Sequence, residues 1–439
     1  MKRHFCTLAA SAWLLLGAAG CGGDGGTNAP ANPDASGPQN APQQQEEPVK
    51  LLMAQKWSEI NEADFQTFIV EPLKQKYPHI EIELLKGENI PEMIAAGQVP
   101  DLIATWVNLL PDYQDLDLVE DMTPLIKKHN YDVDRLGDVY VETIRKYDKG
   151  GGLVALPYDS NFNVIHYNKD IFDKFGVAYP KDGMTWEETI ELAKSVSRTE
   201  GGIRYRGLET GGYGNLALQR ALPSITEAGS NLGDERWRSV LQLAKTIETI
   251  PNNEPVPDVH PRNQFIKDRN LAMFVTGYNF NLLNGEAAQG LNWDLAQAPS
   301  LSDQPNVAGM VDVHVMFVTK TSQNKDAAFK VVELLTSDEI QRKMTRSSGK
   351  LSALKDTSIR KELGADMPIL QGKHLEAIFK GEYIPAYTAV RKYPDAGKIL
   401  NEEVAKFLTD EQDLNTALRV AEERLQNHIR QIDAGGGGK

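Results

Sequence analysis

The sequence predicts an α/β protein built as two lobes with a helical C-terminal tail. Three observations carry that expectation. Strand and helix patterns alternate from Val49 to Thr105, the rhythm of a parallel sheet flanked by helices. The chain has 439 residues, enough for two domains with separate cores. Beyond Lys320 the apolar spacing turns helical and stays so.

Taken in order, Val49–Ala54 reads as a buried strand. Phe65, Phe68, Ile69 and Leu73 then line one face of a helix, which Pro72 is placed to kink because it has no amide hydrogen. His79–Leu84 alternates, with Ile80, Ile82 and Leu84 inward. Ile90–Ala96 reads as a short helix and Asp101–Thr105 as a strand, with helices following at Glu120–His129 and Asp134–Tyr147. The stretch Gly150–Val196 gives a Gly-rich turn, a strand at Leu153–Leu156 stopped by Pro157, and another at Val164–Tyr167. Asn168 caps a helical turn, and Thr185 opens a longer helix with Glu188 three residues on, a reciprocal cap. Asn215–Gly229, Trp237–Ile250 and Pro261–Arg269 read as helical. Met273–Thr276, Trp293–Gln297 and Val311–Thr319 read as strands. The tail predicts helices at Asp326–Leu335, Glu339–Arg346, Ile369–Phe379, Asp395–Phe407 and Asp413–Gln431. Trp186 and Trp237, on helices, are expected in the core.

The N-terminus is of another kind. Lys2 and Arg3 precede an apolar run, Leu8–Ala19, which is too short for the roughly 20 residues a bilayer requires. Residues 1–20 are therefore expected to be a signal peptide. The run ends Ala18-Ala19-Gly20-Cys21, which resembles the cleavage box of bacterial lipoproteins and implies lipidation at Cys21, with palmitate among the chains. Residues 21–48, rich in Gly, Pro, Asn and Gln, are expected to be a lipid-anchored disordered tether. Such a chain reaches about 30 Å. Residues 434–439 are expected to be a flexible tail. Cys6 and Cys21 are the chain's two cysteines, so no disulfide is expected beyond them.

A net charge of -14 without a Lys/Arg run argues against a nucleic-acid partner. Catalytic patterns are absent too. No histidine pair has metal-ligand spacing, and no nucleophile elbow or phosphate loop occurs. Gly212-x-Gly214-x-x-Ala217 lacks the preceding strand and the acidic residue of a dinucleotide site. The expectation is no enzyme, no cofactor and no metal.

What remains is aromatic and polar residues at strand ends. Sugar rings stack apolar C–H faces on aromatic rings and give hydroxyls to amides and carboxylates. Trp57 and Glu59 follow the first strand, and Trp106 and Asn108 follow Asp101–Thr105. Asp312 and His314 alternate onto one face of a later strand.

The succession Leu156-Pro157, Tyr167-Asn168-Lys169-Asp170-x-Phe172 and Thr185-Trp186-Glu187-Glu188 resembles the maltose-binding-like, carbohydrate class of extracellular solute-binding proteins of bacterial ABC importers. The resemblance implies a two-lobed periplasmic-binding-protein-like fold of type II, with a ligand cleft between the lobes. It implies an N-terminal lobe of residues 49–158 plus 316–350 and a C-terminal lobe of 159–315 plus 351–433. The crossings would fall near Asp159–Val164, Val311–Val315 and Gly349–Lys355. It adds Asp159 and Asn161 to the ligand set, although Asn161 stands where the family often has a carboxylate. Gly277-Tyr278-Asn279-Phe280 stands where the family typically has Gly-Ser-Trp, which adds Tyr278 and Asn279, and Tyr213 and Tyr387 are placed by the same likeness. The implied protein is an exported monomer, lipid-anchored to the outer face of the cytoplasmic membrane. It would capture a sugar or oligosaccharide by closing its lobes and deliver it to an ABC permease. The alternatives are a receptor of the same fold for a peptide, polyamine or metal, and an exported polysaccharide-degrading enzyme.

Overall fold

The computed structural model describes residues 47–85, 89–277 and 280–435. The expected signal, Cys21, Tyr278 and Asn279 lie outside those residues, as does nearly all of the expected tether. The strands, in chain order, are β1 (Val49–Lys56), β2 (Ile80–Leu84), β3 (Leu102–Trp106), β4 (Leu156–Ser160), β5 (Val164–Asn168), β6 (Arg198–Glu200) and β7 (Ile203–Glu209). There follow β8 (Ile225–Thr226), β9 (Gly229–Ser230), β10 (Leu271–Thr276), β11 (Trp293–Gln297), β12 (Val307–Met310), β13 (Val313–Val318), β14 (Leu351–Ser352) and β15 (Glu382–Ile384).

Two sheets organise the molecule. The first has the order β14-β4-β13-β3-β1-β2. Its β1 is parallel to both β2 and β3, the arrangement that alternating strands and helices produce. β13 and β14 return antiparallel to their neighbours. All six residues of β13 are buried, as a strand covered on both faces requires. The second sheet has the order β11-β5-β10-β7-β6 and is mixed. Minor pairs join β12 to β15 and β8 to β9.

The first sheet packs into one core with Phe65, Ile69, Phe329 and Val332. The second is covered on both sides. Ile165 and Met273 face Trp186, Trp237 and the helices Ala396–Leu408 and Leu414–Ala434. Val164 and Phe274 face Phe265, Phe280, Trp293 and Leu370. The side-chain period of two sends neighbours Val164 and Ile165 to opposite cores.

The chain leaves the first core after Tyr158 and enters the second lobe's packing at Phe162. Two boundaries differ from expectation. Val311, Val313 and Val315 pack in the first core, because β13 pairs along its length with β3 and β4. Ala353, Leu354 and Ile359 also remain there, so the lobe change falls later than residue 351.

Several elements differ from their expected form, each for a local reason. The strand expected to stop before Pro157 instead contains it, opposite Val315 at an irregularity in the register. A bulge tolerates a residue with no amide hydrogen. Pro72 cannot donate to the carbonyl four residues back, and the helix before it widens into a π-turn at Gln66–Val70. The helix expected over 215–229 is Tyr213–Gln219 alone, and the β8–β9 hairpin follows Pro223. Ile369–Phe379 forms two 3-10 turns, not one helix. The β6–β7 hairpin was unforeseen, though its turn is Gly201-Gly202, both with positive φ.

Candidate functional site

The groove between the sheets is built from strand ends and the segments that join the sheets. Its middle cavity, about 220 Å³, is walled on one side by Glu59 and Trp106 from the first lobe. Asn161, Asn163 and Asp312, from segments joining the sheets, form its floor. Asn215, Arg262 and Thr276 close the other side. Two larger cavities adjoin it. One of about 520 Å³ shares Glu59 and holds Trp57 and Asn281, and another of about 510 Å³ shares Trp106 and holds Asn108 and Tyr387. β1, β3 and β10 all end at this groove, as ligand sites of α/β sheets do.

Trp57 is 55% exposed, and its ring lies 6.3 Å from that of Trp106, tilted by 44°. A side chain so exposed is no core residue. The backbone that presents it is unusual. Trp57 and Glu59 have φ of 50° and 55°, the left-handed region that costs a non-glycine residue about 1–3 kcal/mol. Nearby hydrogen bonds offset this: Ser58 Oγ donates to Gln55 Oε1 at 2.5 Å, and Tyr158 Oη donates to the Ser58 carbonyl.

Three polar atoms around the middle cavity are buried without a hydrogen-bond partner among the described residues. They are Trp106 Nε1, Arg262 Nε and Asp312 Oδ1. An unsatisfied buried polar atom costs about 1–3 kcal/mol. Asp312 is otherwise held at the floor, its Oδ2 accepting from Asn161 Nδ2 at 3.1 Å and its carbonyl from the Asn161 amide at 2.8 Å. The middle cavity thus offers one indole, two carboxylates, three amides and a guanidinium, with the Trp57 indole in the cavity beside it, a set suited to a polyhydroxylated ligand.

The expected residues divide. Trp57, Glu59, Trp106, Asn108, Asn161, Asp312 and Tyr387 all line the groove. Asp159 and His314 do not; they are 2% and 3% exposed and face each other behind it. His314 Nδ1 lies 2.5 Å from Asp159 Oδ1. Burial alone would raise the Asp159 carboxyl, but the Lys350 ammonium and His314 hold it below the ordinary value. Burial alone would lower His314, and the Asp159 charge overrides that and raises it. Tyr213 lines none of the three cavities; it packs against Trp237 and hydrogen-bonds Asn401. Its placement follows from the helix Tyr213–Gln219, whose residues Asn215 and Leu218 take the groove face instead.

Asn163, Asn215 and Arg262 were missed. Asn163 sits two residues past Asn161 in the same crossing, and that spacing was the available signal. Arg262 lies on the six-residue helix Pro261–Ile266, with no strand end nearby in the sequence to mark it. Among the described residues no group of three or more His, Cys, Asp or Glu is placed to hold a metal, and no helix is long and apolar enough to cross a membrane.

A two-lobed α/β molecule with a polar, aromatic-flanked groove between its sheets is the architecture of a ligand-capturing receptor. The chain belongs to the bacterial extracellular solute-binding protein family, whose sequence profile matches residues 56–342. The sn-glycerol-3-phosphate-binding periplasmic protein UgpB of Rhizobium meliloti (strain 1021) is 26% identical over 301 residues, 62% of this chain and 67% of that protein. The arabinooligosaccharide-binding protein of Bacillus subtilis (strain 168) is 31% identical over 134 residues, 30% of this chain and 28% of that one. An ABC substrate-binding protein from Listeria monocytogenes, solved with cycloalternan, superposes with a TM-score of 0.72 at 20% identity, covering 87% of this chain and 99% of that one. The cyclic alpha-maltosyl-1,6-maltose binding protein of Arthrobacter globiformis gives 0.68 at 16% identity, covering 88% and 100%. At these identities the structural likeness is one of fold.

Proposed function

We propose that the protein is the substrate-binding receptor of an ABC importer, taking a sugar or oligosaccharide into the groove and passing it to a membrane permease. The observation that carries this is the trio of partnerless polar atoms on Trp106, Arg262 and Asp312 around one cavity flanked by indoles. Sugar hydroxyls both donate and accept, so one ring can satisfy an indole N–H, a guanidinium and a carboxylate together. The cavities on either side of the middle one favour a chain of rings over a single ring.

Capture works by closure about the segments where the chain changes lobes, between Tyr158 and Phe162, before Val311 and after Ile359, which requires the ligand to bind the closed form more tightly. The protein acts as a monomer, without turnover of its ligand. It is exported and held at the outer face of the cytoplasmic membrane by lipid on Cys21, with residues 22–48 as the tether. Replacing Cys21 by Ala should release the protein from the membrane fraction, because multiple acyl chains are what make such anchoring stable. Unchanged fractionation would contradict the anchor.

A second reading, a phosphorylated polyol, is favoured by Arg262 and by the UgpB relatives. It is disfavoured by Glu59 and Asp312, whose charges would repel a phosphate. A melting-temperature and tryptophan-emission panel with maltotriose, mannobiose, an arabinooligosaccharide and sn-glycerol 3-phosphate tests both. The account expects a response to an oligosaccharide with no product released. A response to glycerol phosphate alone would favour the second reading, and product formation would contradict a pure receptor.

A further inference from the structure

Behind the groove, three elements of the first lobe meet in one buried cluster. Asp159 comes from the end of β4, His314 from β13, and Lys350 from just after the helix Asp338–Ser348. Asp159 Oδ2 lies 3.2 Å from Lys350 Nζ, and its Oδ1 meets His314; the three side chains are 3–5% exposed. Asp64, in the helix after the Trp57 loop, and Asp312, beside His314, are the further charges that act on this cluster.

Lys350 has a second contact. Its ammonium donates to the carbonyl of Glu59, one residue from the Ser58 carbonyl that takes the Tyr158 hydroxyl. Glu59 is therefore pinned by its backbone while its side chain lines two of the cavities. Gly349 makes the reach possible. It ends the helix at φ 70°, and a Cβ there would fall 2.7 Å from the Phe280 ring.

We infer that Lys350 is a positioning residue, tying the end of β4, from which the chain crosses to the second lobe, to the backbone of the loop that presents Trp57 and Glu59. Left-handed non-glycine residues persist only where their surroundings over-determine them, and here two buried donors seize consecutive carbonyls between Trp57 and Ile60. A buried ammonium is also a poor choice for stability alone, since an apolar side chain of equal length avoids its desolvation. What the loop is for rests on the groove being the binding site; how the loop is held does not.

The test compares amide hydrogen exchange in the full chain, its Lys350→Met variant and its Tyr158→Phe variant, without added ligand. Residues 57–62 are read against the helix Lys325–Leu335 as an internal reference. The expected result is that exchange at 57–62 speeds about tenfold more than at the reference helix for Lys350→Met and about threefold more for Tyr158→Phe. Acrylamide quenching of Trp57, taken as the difference from a Trp57→Phe protein, should rise in parallel. A structural role alone would speed both segments together through global stability, and that outcome overturns the inference. Should Lys350→Met fail to fold, Tyr158→Phe decides, and unchanged exchange at 57–62 overturns it as well. Failure of every compound in the binding panel would sink the sugar reading while leaving this result standing.

Discussion

Each wall of the groove has a buried histidine behind it, and the two have opposite surroundings. His314, behind the first-lobe wall, faces Asp159 with Lys350 alongside, and it is held more basic than usual. His166, on β5 in the second lobe, lies among rings: Phe265 and Phe280 at 6.4 Å and Trp293 at 6.2 Å. Burial pushes its pKa down to about 4. Burial alone therefore does not set the charge of a histidine; its partners do. One wall is braced by charges and the other by aromatic packing.

The largest way to break the comparison is at Asp159. Changing Asp159 to Asn removes the carboxylate that both Lys350 and His314 contact, and should cost about 3–5 kcal/mol of folding stability by urea melting. A loss below about 1 kcal/mol would mean that the cluster is hydrated and the contrast between the walls is false.

Acid should next separate the walls. The folded protein keeps His166 neutral below the ordinary value of 6.5, so the unfolded chain binds the extra proton first. That contribution, about 3 kcal/mol, is present above pH 6.5 and is lost as the pH falls toward 4. Asp159, with its value held down, loses its contribution only as the pH falls below 3.8. The His314 contribution is full below 6.5 and fades as the pH rises through its raised value. Between pH 6.5 and 4 the second lobe should thus weaken while the cluster holds. Urea midpoints measured across that window should fall less steeply in a His166→Phe protein. Parallel slopes would show that His166 is not the titrating group.

This contrast also marks what a sequence can tell. Trp57 and Trp106 were legible because a strand end is a local pattern, and in parallel sheets those ends gather where ligands bind. The two-lobed fold was legible for a similar reason, from strand rhythm and the Asn168 and Thr185 caps. The pairing of Asp312 with His314 on one face misled. Their spacing of two puts both on one face only if the strand covers both, and β13 begins at Val313. Asp312 stays with the groove floor, while the register irregularity near Pro157 sets His314 opposite Asp159. Lys350 and Arg262 could not be read at all. Lys350 meets the Glu59 carbonyl far along the chain, and Arg262 reaches the groove from a helix that folding alone brings to the strand ends.

The smallest of these effects in free energy bears most directly on the claim that this groove is where the ligand binds. Trp57 is half exposed at the end of β1 and stands beside Trp106. Its replacement by Ala should cost about 2 kcal/mol of affinity for the oligosaccharide that raises the melting temperature, roughly thirtyfold in Kd. Folding stability should change by less than about 1 kcal/mol, as for an exposed side chain. Calorimetric titration and urea melting on one preparation give both numbers. Intact affinity beside a loss of about 3–5 kcal/mol in stability would contradict the account, because that is what removing a core tryptophan does.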